Sequence, residues 1–376
     1  MTVASKLLLE QLRGPKLTDF ITVFVLQKSL KPLFAKSSSK ITGSGRPLQY
    51  DRVDDRSRPI LDIPAWTSQA PWAEATIQWV VDMSTASLIR EHWPLFMPVL
   101  LALIENESVE VKARGLRILT VFVSKCPAQV LQSTGIGRVF ADATFPLLLY
   151  LPSVTPEAQS TTILIPAYDV LLNLAELSGK PNSLERRRLL DKILRDGVFA
   201  GHFHASQHTR IVEVLMQKTA AIVNCLGIYS IKHLAVRFYF IKMLQTRVDL
   251  CQPLLSTTSS IMIDPFATSY PPTLIAATQA LDAVVTNGWP RIREAEHVEH
   301  IVRVLSLCWL NVSAEIESSG SHLRGDDAQT LSQALIHTAK ILQTLWAHDG
   351  SKRPAKLSEA LEQEPTLLKL FPATSA

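Results

Sequence analysis

The chain has little cysteine, little glycine and little charge. Its four cysteines, Cys126, Cys225, Cys251 and Cys308, form no Cys-x-x-Cys pair. Three of them sit in apolar helical runs, the usual place of a buried free thiol, and this pattern reads as a reducing compartment. Glycine occurs only 14 times against 22 prolines, which fits short helices separated by proline-marked turns. Charged residues make up 19% and hydrophobic residues 47%, a balance that excludes wholesale disorder. Lys6 is followed by only Leu7-Leu8-Leu9, too short for a signal-peptide core. No stretch reads as the roughly 18 apolar residues needed to cross a membrane. A soluble intracellular protein is expected, and the sequon Asn311-Val312-Ser313 then matches by chance.

Catalytic signatures are also missing. Gly135-Ile136-Gly137 lacks the third glycine, the strand and the lysine of a phosphate-cradling loop. Gly320-Ser321-His322 has no nucleophile-elbow context. His202, His204 and His208 include an i, i+4 pair, but no nearby cysteine or carboxylate completes a zinc site. They read as a solvated loop and helix start. Glu294, Glu296, His297, Glu299 and His300 read as the wet face of one helix. The expectation is no catalytic residue, no cofactor, no metal and no small-molecule substrate.

What is present is a helical hairpin. His92 to Ile104 places Trp93, Met97, Leu100 and Ile104 on one face. The turn Glu105-Asn106-Glu107-Ser108 follows, with Ser108 as N-cap. Val109 to Cys126 then places Leu116, Leu119, Val123 and Cys126 on one face. Two such short helices cannot bury their faces alone and must stack on neighbours. Further helices are expected over 134–150, 160–177, 184–195, 208–226, 229–247, Pro271 to Val285, Trp289 to Trp309, 329–346 and 357–370, the last broken at Pro365. Loops are expected near 37–58, 152–159, 255–271 and 313–327. Short apolar runs such as Ile261-Met262-Ile263 could be strand-like, but they sit alone.

The fold class is therefore all-α, an α-solenoid of irregular HEAT-like helical hairpins. Residues 1–36 read as N-terminal helices and 37–58 as a flexible linker. Residues 59–311 read as the HEAT-like core, and 312–376 as C-terminal helices that continue or cap it.

Charge is uneven along the chain. Asp51 to Glu110 holds 10 acidic and 4 basic residues, and Leu184 to Arg247 holds 11 basic and 4 acidic. Phe238, Tyr239 and Phe240 sit among Lys232, Arg237 and Lys242. Aromatics among bases can stack on nucleic acid, so a nucleic-acid-binding helical repeat protein using 184–247 is the competing reading. The same run has core spacing at Ile231, Leu234, Ala235, Phe238 and Ile241, which favours packing.

The segments RPILD (58–62), Pro71-Trp72 with Trp79, HWPLFMPVLLALI (92–104), KARGL (112–116), FPLLLYLPSVTPE (145–157), AYDVLLNLAEL (167–177), LGIYSIKHL (226–234) and NGWPRI (287–292) occur in an order that resembles the Tel-two-interacting protein two family. The resemblance runs from about residue 50 to residue 310. Glu105-Asn106-Glu107 stands where that family has an aspartate-rich turn. The resemblance implies a HEAT-like subunit of the Triple-T (TTT) co-chaperone complex without enzymatic activity. It implies direct binding to a Tti-one-like HEAT subunit, assembly with Tel-two, and work with the Hsp-ninety chaperone and its R-two-T-P adaptor. The implied clients are phosphatidylinositol-three-kinase-related kinases of DNA-damage, telomere and growth (TOR) signalling, in cytoplasm and nucleus. No membrane is implied.

Interface anchors are sought among tryptophans and arginines. Trp289 and Arg291 stand at an expected turn, Lys112 and Arg114 project from the second hairpin helix, and Arg58 and Asp62 flank Pro59. These six are the candidate partner-binding residues.

Overall fold

The structure, a computed structural model, describes residues 14–34, 70–234, 254–293, 295–317, 323, 325–348 and 355–372. Every regular element among them is helical, with no strand among the described residues. The linker 37–58, Arg58, Asp62 and Phe238 to Phe240 lie outside the described residues. The chain forms two compact units, Met1–Tyr150 with Thr162–Arg186, and Leu151–Thr161 with Arg187–Ala376.

The first unit is built on α1 (Ala73–Met83), α2 (Ala86–Ile104) and α3 (Val109–Lys125). Thr85 caps α2 by accepting from the Leu88 N–H. The helix thus starts at Ala86, ahead of the expected His92. Pro94 and Pro98 lie inside it at half-exposed positions. Ser108 caps α3 as expected, accepting from the Val111 N–H at 3.4 Å. Asn106 accepts from the Ser108 N–H at 2.9 Å and fixes the link. Leu116, Leu119, Val123 and Cys126 are all buried, as are Met97, Leu100 and Ile104. Each fully buried leucine contributes about 1.5–3 kcal/mol.

Helices α1 and α3 run parallel, with α2 antiparallel to both. Arg114 meets Glu74 near the start of α1, and Lys125 Nζ donates to the Val81 and Asp82 carbonyls at its end. The ammonium there also complements the negative end of the α1 dipole. Phe96, Phe122 and Phe140 form the buried aromatic centre, with ring centroids 5.2 and 6.0 Å apart.

The single helix expected over 134–150 is two pieces, a helix and a 3-10 turn, and a separate short helix precedes it. Gly135, at φ 74, separates α4 (Ala128–Thr134) from α5 (Ile136–Thr144). Pro146 opens the 3-10 turn Phe145–Leu149. Pro166, by contrast, is absorbed inside α6 (Glu157–Leu177).

Helix α7 (Leu184–Lys192), of which Arg187 onward belongs to the second unit, continues through the π-helical stretch Ile193–Phe199 into α8 (Ala200–Ala205). His202 and His204 are therefore helical, not in the expected loop, and His202 is buried. Next, α9 (Thr209–Leu226) closes at Gly227, φ 56, as its sequence indicates. Gly227–His233 then forms a 3-10 helix where an α-helix was expected to begin.

Two expectations for this unit are corrected. The run read as a loop over 255–271 contains α10 (Leu254–Met262). Its serines and threonines look like loop composition, but Thr258 Oγ1 bonds the Leu254 carbonyl one turn back at 3.0 Å. Also, α11 (Pro271–Ile292) does not stop at Asn287-Gly288. Gly288 is buried, and a Cβ there would stand 3.0 Å from Leu234 Cδ1. The glycine lets the Leu234 side chain pack closely, and Pro290 falls in the last turn, where little helix remains to break.

Helix α11 packs against α9, α10 and α13 (Asp326–His348), and α12 (Ala295–Glu317) packs against α10 and α13. Helices α9 and α11 are parallel: Thr273 meets Thr209 near their starts and Asn287 meets Asn224 near their ends. The C-terminal α14 (Ala355–Gln363) and the 3-10 turn Pro365–Leu368 follow, and Trp309 Nε1 donates to the Thr366 carbonyl at 3.1 Å.

Two helical stretches, Ala86–Ile104 and Thr209–His233, are long and apolar enough to cross a membrane by length and composition. This corrects the sequence reading. About half of each is buried in the fold, 56% and 50%, as core helices are.

Candidate protein-interaction surface

Side-chain contacts between distant chain segments span 29 to 64 positions, and one group of them falls at 41–45. Lys125 reaches 44 and 43 positions back to Val81 and Asp82. Gln132 reaches 45 positions forward to the Leu177 carbonyl. In the other unit, Asp191 holds Lys232 and His233, 41 and 42 positions on, and Ser259 meets His300 at 41. Contacts between α9 and α11 span 63 and 64. The shorter of these spacings fall near the roughly 40–47 residues of a HEAT-type hairpin, and the longer ones do not.

Four candidate anchors are described. Lys112 is buried, with its ammonium 5.2 Å from the centre of the Tyr150 ring, a cation–π contact inside the first unit. Arg114 is mostly exposed and its guanidinium lies 3.0 Å from the largely buried Glu74 carboxylate. It therefore pairs with α1. Trp289 and Arg291 are half-buried in the last turn of α11, so they stand on a helix end where the sequence suggested a turn.

The basic 184–247 region is partly neutralised within its own unit. Asp191 holds both Lys232 and His233, the latter at 2.9 Å. The Arg187 guanidinium lies over the Tyr229 ring, 4.1 Å from its centre. Arg195 pairs with Asp196 at 2.7 Å. Burial pushes the His233 pKa down, against the upward pull of Asp191.

The histidines separate. His208 Nδ1 lies 4.0 Å from Glu157, whose carboxylate accepts from the Arg210 N–H at 3.2 Å and caps α9 from α6. His300 leaves the expected wet face to bond Ser259 at 2.8 Å. Among the described residues no group of three or more His, Cys, Asp or Glu could hold a metal.

Sequence reasoning missed the exposed apolar residues. Val154 and Phe266 stand out most, followed by Leu149, Ile228 and Phe24. Periodicity finds only faces that helices bury, so residues displayed on turns leave no periodic signal.

The Tti2 family model matches residues 1–269. The chain belongs to the Tti2 family. This is a co-chaperone scaffold family and not an enzyme family. Tti2 membership supports a general role as a subunit of the TTT complex, with protein partners. The match agrees with the resemblance carried by the segments between RPILD and LGIYSIKHL, and it also takes in the first 50 residues. No solved structure matches the chain.

Proposed function

We propose that this chain is a non-enzymatic scaffold subunit of the TTT co-chaperone complex. It binds a Tti-one-like HEAT subunit directly and assembles with Tel-two. The complex then works with Hsp-ninety and its R-two-T-P adaptor to mature and stabilise phosphatidylinositol-three-kinase-related kinases, in cytoplasm and nucleus. The observation that carries this reading is the Tti2 family match over residues 1–269.

The physical features support it. Parallel helices α1 and α3 in direct contact, joined in sequence through the antiparallel α2, are what stacked hairpins produce, and separations of 41–45 occur among contacts within each unit. We therefore read the architecture as an irregular HEAT-like solenoid. A stacked scaffold acts by surface complementarity, and its permanent interfaces are apolar at the centre.

The test is co-elution of the purified chain with the purified Tti-one-like subunit on size exclusion, in low and in high salt. A complex that survives high salt supports an apolar scaffold interface. Binding to nucleic acid that falls steeply with salt, without that complex, would replace this reading with the nucleic-acid one.

A further inference from the structure

The histidines are divided unevenly. Of the ten, His92 alone lies in the first unit, and it meets its neighbour Glu91 on the same helix at 4.0 Å. The second unit includes His208, His233, His300 and His337, each of which reaches a different helical element. Imidazole is the side chain that ordinarily changes charge near neutral pH. A contact made through it can therefore depend on protons.

Two of these contacts favour a neutral ring. His233, 17% exposed, closes the turn Gly227–His233 onto α7 through Asp191 at 2.9 Å. Lys232 already holds the same carboxylate, and Arg195 adds positive charge from the π-helical stretch. A proton on His233 adds a further cation at a site walled by the Phe199 ring. Helices α9 and α11 also pack on this turn, and among the described residues they bring no charge that acts on the ring.

His300 closes α12 onto α10 through buried Ser259 at 2.8 Å. Arg303 and His297 flank it three positions away on α12 and disfavour added positive charge. Among the described residues no carboxylate offsets them. Helix α10 and the turns Pro265–Ser269 and Pro365–Leu368 carry no charged residue, and no charge on α11 or α13 acts on the ring. A neutral ring can accept from the serine hydroxyl, and a protonated one cannot. Burial lowers the pKa of both histidines.

The other two contacts have the opposite sign. His337 faces the Asp282 carboxylate at 3.5 Å, between α13 and α11, and His208 faces Glu157 at 4.0 Å. A proton on either ring adds attraction.

We propose that the second unit carries a proton-sensitive seam: protonation of His233 frees the turn Gly227–His233 from α7, and protonation of His300 frees α12 from α10. The α11–α13 contact stays closed, and so does the first unit, whose one histidine bonds within its own helix. Both seam rings take the proton more readily when their contact is open. The closed contacts are therefore fully present above pH 6.5 and weaken as pH falls through it. Acid thus opens the second unit at two defined places before the fold is lost.

The experiment is hydrogen exchange with mass spectrometry on the full chain at about pH 7.5 and about pH 5.5, corrected for the intrinsic exchange rate, with H233Q and H300Q alongside. In wild type, acid should lower protection over Gly227–His233 by up to about tenfold, the limit for one histidine over this interval. Peptides over Leu254–Met262 and the start of α12 should lose less, because His300 is more exposed. Protection over Val109–Lys125 and Asp326–His348 should hold. Glutamine keeps a donor and an acceptor without the titration, so each variant should abolish the acid loss at its own contact and leave the other in place. Unchanged protection at both contacts, or an equal loss over Val109–Lys125, overturns the seam. An acid loss that persists in both variants overturns the assignment to these two rings. If a variant is already unprotected near pH 7.5, the wild-type comparison of the two units still decides.

Discussion

Gly115 lies against Leu103 across the α2–α3 hairpin, so closely that a Cβ at residue 115 would stand 2.7 Å from the Leu103 Cβ. The next contacts would be the Leu103 carbonyl carbon at 3.0 Å and the Ile104 nitrogen at 3.1 Å. These atoms belong to backbone or to its first branch, so the helices themselves must separate. G115A gains about 1 kcal/mol of helix propensity and loses about 1–3 kcal/mol by overpacking. We expect a net loss of stability, read as a lower denaturation midpoint in urea. An unchanged or raised midpoint would mean that the hairpin is looser than described.

Tyr168 is fully buried, and its hydroxyl has no hydrogen-bond partner among the described residues. Burial pushes the phenol pKa well up. An unsatisfied buried hydroxyl costs about 1–3 kcal/mol. Y168F should therefore raise the melting temperature, or at the least leave it in place. A clear fall in Tm would show that the hydroxyl is bonded after all.

His233 gives the folded chain a pH dependence. Burial holds its pKa below the ordinary 6.5, with Asp191 opposing and Lys232 and Arg195 adding to the depression. Below 6.5 the unfolded chain takes up a proton that the folded chain refuses. Stability from this group is thus present at neutral pH, falls as pH drops through 6.5, and levels off below the folded value. H233Q keeps a donor for Asp191 and removes the titration. Between about pH 7.5 and 5.5 its stability should fall less than that of wild type. Parallel curves for the two proteins would contradict this assignment.

Burial lifts the Cys126 thiol to about 11 and the Cys308 thiol to about 12. Only the thiolate reacts with alkylating agents. In the native chain near pH 8, iodoacetamide should leave both unmodified, and in denaturant it should modify both. Peptide mass spectrometry reads the outcome, and native labelling of Cys308 would place it at the surface.

Much of this architecture is legible in the sequence where one local signal decides one local event. Ser108 caps α3, Gly227 closes α9 and Pro271 starts α11, and each acts through its own backbone chemistry. The misses occur where a distant group overrides the local signal. Asn287-Gly288 reads as a helix stop, yet Leu234 packs on Gly288 and carries α11 through it. The hydroxyl-rich run before Ile263 reads as a loop, yet its side chains bond back within α10. For the surface, Arg114 was visible as a projecting cation, but its partner Glu74 could not be read from spacing. Phe266 was invisible, because a displayed residue belongs to no buried stripe.

The central claim is that the chain works as a scaffold subunit with protein partners. Affinity purification of the tagged native protein in moderate salt, followed by mass spectrometry, tests it most directly. The account predicts recovery of a large HEAT subunit and Tel-two in near-equal amounts, retained after nuclease treatment. Recovery of nucleic acid alone, or of the chain with neither subunit, would contradict it.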